Sequence, residues 1–285
     1  MIFAWTAAVF IVLALIVLSA YMVFESYRNR LQEEEISFER LPPAFDGFRI
    51  FFISDIHRRK LHPSLIAMVQ QAGGADLVLI GGDVREKGVP LERVRHNVRR
   101  LAAIAPVYMV YGNHDYDDNI KPLQKLLQQE SVRTLKNESV FLSRGRERIR
   151  LAGVDDPFTE RDSLKTALAD RRASGVFTLL AAHDPIIADR LNGADVDLVL
   201  SGHTHGGQMV LPLYGPVIRP GSVRTYCKGW FSLENKGGTS ALAETTTGPR
   251  PVRLFVSCGY GTSKAPIRLG VPPETHLFTL RRNLL

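Results

Sequence analysis

Residues 1–24 carry no charged side chain and consist largely of Ile, Val, Leu, Ala and Phe. A run of that length and apolarity predicts a helix able to span the hydrocarbon core of a bilayer. Residues 25–47 turn polar, with Arg28, Arg30, Glu33, Glu34 and Glu35 ahead of Pro42-Pro43; they read as a tether closed by a turn. Short apolar runs follow at 48–53, 76–80 and 107–111, each ending in a cluster of Asp, Gly, His or Asn. That is the pattern of buried strands opening into loops. Between them, residues 63–71 begin with Pro at a first-turn position, and Leu91, Val94, Val98 and Leu101 mark one face of a second helix. Further strands are predicted at 149–152, 176–181, 196–200, 252–256 and 276–280. Residues 237–248, rich in Gly, Thr, Ser and Ala, have little to bury and predict a mobile loop. Strand, loop and helix in alternation imply βαβ crossovers and a parallel or mixed sheet covered by helices, an α/β fold. Residues 48–285 fit one domain without a repeat period.

A cleaved signal peptide is the alternative reading of the first segment, and Leu18-Ser19-Ala20 offers a cleavage site. Against it, no Lys or Arg precedes the apolar run, which is longer than a typical signal core. Arg28 and Arg30 follow the span directly, so the positive-inside rule places the remaining chain in the cytoplasm; the acidic run at Glu33 weighs little there. The formal charge of +7 lies wholly outside the span, and fits either a body held near anionic head groups or an anionic substrate. Arg93, Arg95, Arg99 and Arg100, with His96, form a solvated helix face or a lipid-docking patch, the latter worth about 1 kcal/mol per basic residue. No aromatic residues interleave with these charges, which disfavours nucleic acid. Two cysteines, Cys227 and Cys258, have no metal-type spacing and make no disulfide framework.

The chemistry concentrates at five strand ends: Ser54-Asp55-Ile56-His57, Gly81-Gly82-Asp83, Gly112-Asn113-His114-Asp115, Ala182-His183-Asp184 and Gly202-His203-Thr204-His205. Each alone is equally a turn or cap. Together they matter more, because loops at the carboxyl ends of strands converge in an open α/β sheet. Five of the eight histidines lie in these clusters, leaving His62, His96 and His276 elsewhere. Two neighbouring divalent cations require a bridging carboxylate with nitrogen and oxygen donors around it, and Asp83 can bridge. Imidazole and carboxylate suit Zn, Fe or Mn, and the absence of Cys from all five clusters disfavours a structural zinc site.

The ordered set Asp-x-His, Gly-Gly-Asp, Gly-Asn-His-Asp, His and Gly-His-Thr-His resembles the calcineurin-like metallophosphoesterase signature. The tail Pro266-Ile267-Arg268-Leu269-Gly270-Val271-Pro272-Pro273-Glu274 resembles its small, membrane-associated bacterial branch. The resemblance implies a four-layer αββα sandwich with mixed sheets and two divalent cations. One would be held by Asp55, His57, Asp83 and His205, the other by Asp83, Asn113, His183 and His203. It further implies that His114 acts beside the phosphoryl group, oriented by Asp115, and that a hydroxide bridging the cations attacks phosphorus. A phosphodiester or pyrophosphate on a lipid-linked substrate, of the UDP-diacylglucosamine type, is the expected target. A metal-dependent nuclease or general phosphatase on the same scaffold is the alternative, and a non-catalytic interaction module would not need the full ligand set. Members near this branch often carry a basic residue where Cys258 stands, which leaves substrate contacts at that turn open. Residues 211–230, rich in Pro, Gly and aromatics, are a candidate wall for the substrate.

Overall fold

The computed structural model describes residues 2–170, 172, 174–234 and 251–283; the loop expected at 237–248 lies outside them. An apolar helix, α1 (Ile2–Ser26), opens the chain. Its 25 residues extend about 37 Å, enough to cross a bilayer with some tilt. The next strand, β1 (Leu31–Phe38), falls where a tether was expected. It then continues as β2 (Phe48–Ile53), α2 (Pro63–Gln71), β3 (Leu77–Ile80), α3 (Leu91–Ala102), β4 (Val107–Met109), α4 (Ile120–Gln129) and β5 (Arg133–Thr134). The second half runs β6 (Glu138–Arg144), β7 (Glu147–Gly153), α5 (Leu164–Ala167), β8 (Thr178–Ala181), β9 (Leu198–Ser201), β10 (Val210–Leu211), β11 (Gly215–Pro216), β12 (Gly229–Leu233), β13 (Val252–Val256) and β14 (Thr275–Arg282).

Two six-stranded sheets form, in the orders β1-β14-β2-β3-β4-β5 and β12-β13-β9-β8-β7-β6. Both are mixed: β14 runs antiparallel to β2, whereas β2, β3, β4 and β5 run parallel. The alternation along β2 shows how one strand serves two layers. Ile50 and Phe52 join Leu79, Leu151, Leu179 and Leu200 in the core between the sheets, while Phe51 and Ile53 meet Leu65, Val94, Val98 and Leu127 of the helices. A third apolar cluster packs Val199 and Leu254 beneath Ala167, Ile187 and Leu191. The order is therefore helices, sheet, sheet, helices, as the four-layer expectation required, although the second helical layer consists of short turns.

The tether expected over 25–47 is corrected by β1, which pairs in parallel with β14 along its whole length. Its charges obscured it. Glu34 accepts from Trp230 Nε1 and bonds His276, and Glu35 bonds Arg281, so acidic side chains here are cross-strand partners. The basic face of α3 is likewise less free than its sequence implies. Glu130 at the end of α4 pairs with both Arg95 and Arg99, and Arg100 donates to His96.

Candidate metal centre

All five predicted clusters meet at the carboxyl ends of the strands, bound to one another through their backbones. The Asp55 amide donates to the Gly82 carbonyl, His57 to Asp83, and Gly202 to His183, all within 2.9–3.1 Å. Close approach requires glycine at several points, Gly112 and Gly202 among them. A Cβ at Gly112 would lie 2.7 Å from the His183 ring, and one at Gly202 would strike Asp55 and Ser54. Asp55, His57, Asp83, His203 and His205 all have φ between 50° and 69°, a left-handed conformation unfavourable to residues with a Cβ. Strain of this kind persists where surrounding structure enforces it, and it gathers at functional sites.

Two groups of donor atoms share the Asp83 carboxylate. On one side, His57 Nε2 lies 3.1 Å from His205 Nε2 and 3.7 Å from Asp83 Oδ2, and His205 Nε2 lies 3.4 Å from Asp55 Oδ1. On the other, His183 Nε2 lies 3.2 Å from the same Asp83 Oδ2, and His203 Nδ1 lies 3.0 Å from Asn113 Oδ1 and 3.3 Å from His183 Nε2. The seven side chains thus come together around Asp83, and the potential donor groups also place His114 with His57 and Asp83, and Asp55 with Asp83 and His183. The donor set fits a cation pair. Facing ring nitrogens 3.1 Å apart repel unless a proton or a cation lies between them, and Asp55, His57, Asp83 and His183 are buried, where uncompensated charge is costly.

Electrostatics favour neutral rings at His57, His203 and His205, and a charged ring at His183 against Asp83. Burial drives His205 down to about 3 and lowers His57 and His203, leaving imidazoles whose lone pairs are available to metal. Burial raises the Asp83 carboxyl, but His183 and His57 outweigh it and hold the group well below its ordinary range. Conversely, burial lowers His183 while Asp83 raises it, and the balance is well above the usual histidine value.

The outer ring of partners was only partly legible in the sequence. Metal-bound histidines usually give their second nitrogen to a carboxylate or carbonyl. Here His183 Nδ1 bonds the Gly81 carbonyl at 2.8 Å and His203 Nε2 faces Asp184 Oδ2 at 3.5 Å, while His57 Nδ1 lies 3.4 Å from Glu86 Oε2 without completing a hydrogen bond. Glu86 was missed because nothing marks it in sequence except its place three residues after Asp83. We predict that Glu86→Gln lowers metal affinity by roughly 10–100-fold without loss of fold, measured by metal titration and a thermal melt; unchanged affinity would make Glu86 a partner of Arg58 alone.

Asp115 does not orient His114. It is buried and accepts the amides of Asp83, Gly112 and Arg85 at 3.0–3.3 Å, binding the Gly82-Asp83 loop to the Asn113 turn. Burial and the neighbouring Asp83 push it up to about 7. His114 Nδ1 instead bonds Asp117 Oδ2 at 2.7 Å. Burial lowers His114, but Asp83 and Asp117 raise it above its ordinary value. The His114 amide donates to Asp83 Oδ1 at 2.8 Å, which leaves Oδ2 to face both donor groups.

A cleft of about 440 Å³ opens over these atoms, lined by His114, Phe158, Met209, Ile218, Pro220 and Lys264 among others. Phe158 packs on the His203 ring at 4.9 Å. Ile218, Pro220, Gly221 and Val223 are among the lining residues, so part of the segment expected as a wall over 211–230 does line the cleft. Cys258 is buried, and the turn around it is held by Arg268, which donates to the Cys258 and Gly261 carbonyls at 2.6 Å each.

Residues 48–207 match the family described as calcineurin-like phosphoesterase. The chain is 37% identical to uncharacterized protein YpbG of Bacillus subtilis (strain 168), over 81% of this chain and 80% of that protein. It is 32% identical to a transmembrane protein with metallophosphoesterase domain from Danio rerio, over 70% of this chain and 50% of the relative. Among solved structures, the Haemophilus influenzae NAD nucleotidase superposes with a TM-score of 0.52 at 16% identity, covering 75% of this chain and 45% of that one. The chain spans less than half the length of that structure, and the likeness is one of fold. The family uses a binuclear divalent metal centre, and here the donor atoms for one are assembled. By matched sequence, fold and ligand geometry, this chain belongs to the calcineurin-like phosphoesterases and is a metal-dependent phosphoester hydrolase.

Proposed function

We propose that the protein hydrolyses a phosphodiester or pyrophosphate bond in a lipid-linked substrate at a membrane surface. The observation that carries this reading is the position of the cleft. Its lining includes the apolar side chains of Phe158, Met209, Ile218 and Val223, and Lys264 lines both it and a second cleft at the end of α1. A substrate with an acyl chain would find apolar surface beside the donor atoms and a membrane span nearby.

When bound, a cation pair supplies Lewis acidity toward phosphoryl oxygens and lowers the pKa of water into the neutral range. The chain's own residues do the rest. Asp55, His57, Asp83 and His205 would hold one cation and Asp83, Asn113, His183 and His203 the other. His114 borders the cleft, and its Nδ1 is engaged by Asp117, leaving Nε2 to donate to a phosphoryl or leaving-group oxygen. Asp115 holds the loops beneath in register.

His114→Ala should retain bound metal and lose about 10²–10⁴ in turnover, the usual range for one positioned proton donor. Metal loss in that variant would make His114 a ligand. The substrate reading is tested by assaying the full chain in detergent with Mn²⁺ on model diesters, UDP-diacylglucosamine, nucleic acid and simple monoesters. Turnover on the lipid-linked pyrophosphate or diester supports it. Release of phosphate from monoesters alone, or cleavage of nucleic acid alone, overturns it in favour of a general phosphatase or a nuclease. The cytoplasmic placement from Arg28 and Arg30 predicts that the domain is protected from protease added outside intact cells.

A further inference from the structure

The apolar side chains left in water fall in one place. Outside α1 and the adjoining Tyr27, the exposed large hydrophobic residues among the described ones are Phe158, Leu211, Leu213, Tyr214, Val217 and Ile218. Three of the six belong to the β10–β11 hairpin and Val217 and Ile218 follow it directly; Leu213 and Tyr214 at the tip are 110% and 62% exposed. Singly exposed apolar residues need no explanation. A cluster on a two-stranded ribbon, beside an active-site cleft, marks a surface meant for an apolar partner.

The hairpin is joined to the end of the apolar helix through one segment. Val210 donates to the Leu269 carbonyl and Leu269 to Gln208, so the hairpin lies along residues 266–270. The same segment receives α1: Arg268 donates to the Met22 carbonyl, Ser26 Oγ to Pro266, and the Gly270 amide to Glu25. Glu25 and Ser26 are both buried by this contact. The last turn of α1 is thus fastened to the body, and the hairpin is held at a set distance from the point where the helix leaves it.

Beside the junction lies a cleft of about 430 Å³ lined by Ser26, Tyr27, Arg58, Lys60, Arg93 and Lys264 among others, with no acidic residue in its lining. Arg58 is paired with Glu86 and Arg59 is turned inward onto the Tyr27, Arg28 and Tyr260 carbonyls, which leaves Lys60, Arg93 and Lys264 as the lining cations that meet neither a carboxylate nor that inner cage. The unpaired cations of this cleft therefore sit at the root of α1 and, with Arg93, at the start of α3, whereas Arg95 and Arg99 further along that helix are bound by Glu130.

We infer that this face is a second membrane contact, in which the hairpin tip enters the head-group and acyl boundary of an anionic phospholipid leaflet and Lys60, Arg93 and Lys264 meet its phosphates. An apolar tip flanked by unpaired basic side chains suits that interface, where apolar burial and attraction to anionic lipid act together. With both contacts made, the cleft over the donor atoms opens at the lipid surface. The inference rests on α1 spanning the membrane and leaves the identity of the substrate aside.

The test uses the full chain in proteoliposomes containing anionic lipid, with Cys227→Ser and one new cysteine at a time carrying an environment-sensitive fluorophore. Leu213→Cys reports the tip, Val12→Cys the middle of α1, and Arg146→Cys the β6–β7 turn at the opposite end of the strands. Strong quenching by nitroxide lipids at Leu213 and Val12, none at Arg146, and a several-fold loss of the Leu213 quenching in purely zwitterionic bilayers is the expected result. A Leu213 label as open to water as that at Arg146, while Val12 is quenched, overturns the docking and leaves the anchor standing. A Val12 label that stays in water removes the anchor and this inference with it. Because position is read and not turnover, neither failure bears on the phosphoesterase reading.

Discussion

Asp83→Asn is expected to abolish metal-dependent turnover, by a thousandfold or more, while the protein remains folded. Asp83 Oδ2 lies near both His57 Nε2 and His183 Nε2, at 3.7 and 3.2 Å, so both donor groups draw on it. Charge stabilisation by bound cations is worth several kcal/mol, and about 4 kcal/mol corresponds to roughly a thousandfold in rate. The amide keeps the shape of the carboxylate, and the strands beneath it keep their apolar core, so the thermal midpoint without metal should move little. Elemental analysis would show less than one cation per chain. Full occupancy with full turnover would mean that Asp83 is not the shared ligand. His205→Ala should empty one donor group and leave the other, which separates the two sides.

His276→Ala is expected to cost about 3–5 kcal/mol of stability, the usual consequence of removing one member of a buried charged cluster. His276 is 1% exposed and joins Glu34 of β1 at 3.0 Å to Glu274 at 3.3 Å. Its ring stacks on Phe278 and meets Phe255 edge-on. At roughly 2–4 °C per kcal/mol for a chain of this size, the midpoint should fall by about 10 °C. A fall under about 2 °C would mean that solvent already screens the cluster.

The pH dependence of the same cluster has a definite sign. Burial lowers His276, but Glu274 and Glu34 raise it above its ordinary 6.5; its contribution is complete below 6.5 and fades as pH rises through the raised value. Burial raises Glu274, yet His276 and the Cys258 amide bring it down to about 2 from 4.5. That contribution is complete above 4.5 and is lost as pH falls toward 2. Wild-type stability should therefore gain most from the cluster between 4.5 and 6.5, and the difference from His276→Ala should narrow on both sides. A difference independent of pH would leave only the lost packing of the ring.

Some of this was open to inspection along the chain. β2, α2 and β13 begin and end where the apolar runs predict, since buried strands and a Pro-initiated helix are local patterns. The seven ligands were legible for a related reason. Each candidate stands two to four residues past the end of a strand, and strand ends are brought together by a parallel sheet. β1 was hidden because Gln32, Glu33, Glu34 and Glu35 look like solvated charge until β14 supplies His276 and Arg281 as partners. The split between Asp115 and Asp117 was hidden because both lie within three residues of His114. Only the turn geometry sends one carboxylate to the amides below and the other to the ring.

By itself, then, the order of residues determined the α/β layering, the apolar span at the start and the identities of the donor atoms, because these follow from hydrophobic periodicity and from residues adjacent to strand ends. Tertiary structure decided which charges are spent on one another, which histidine nitrogen faces which carboxylate, and that the end of α1, the 266–270 segment and an apolar hairpin form one surface beside the cleft. Those are distances between parts of the chain far apart in sequence, set by packing of the two sheets, and no local pattern encodes them.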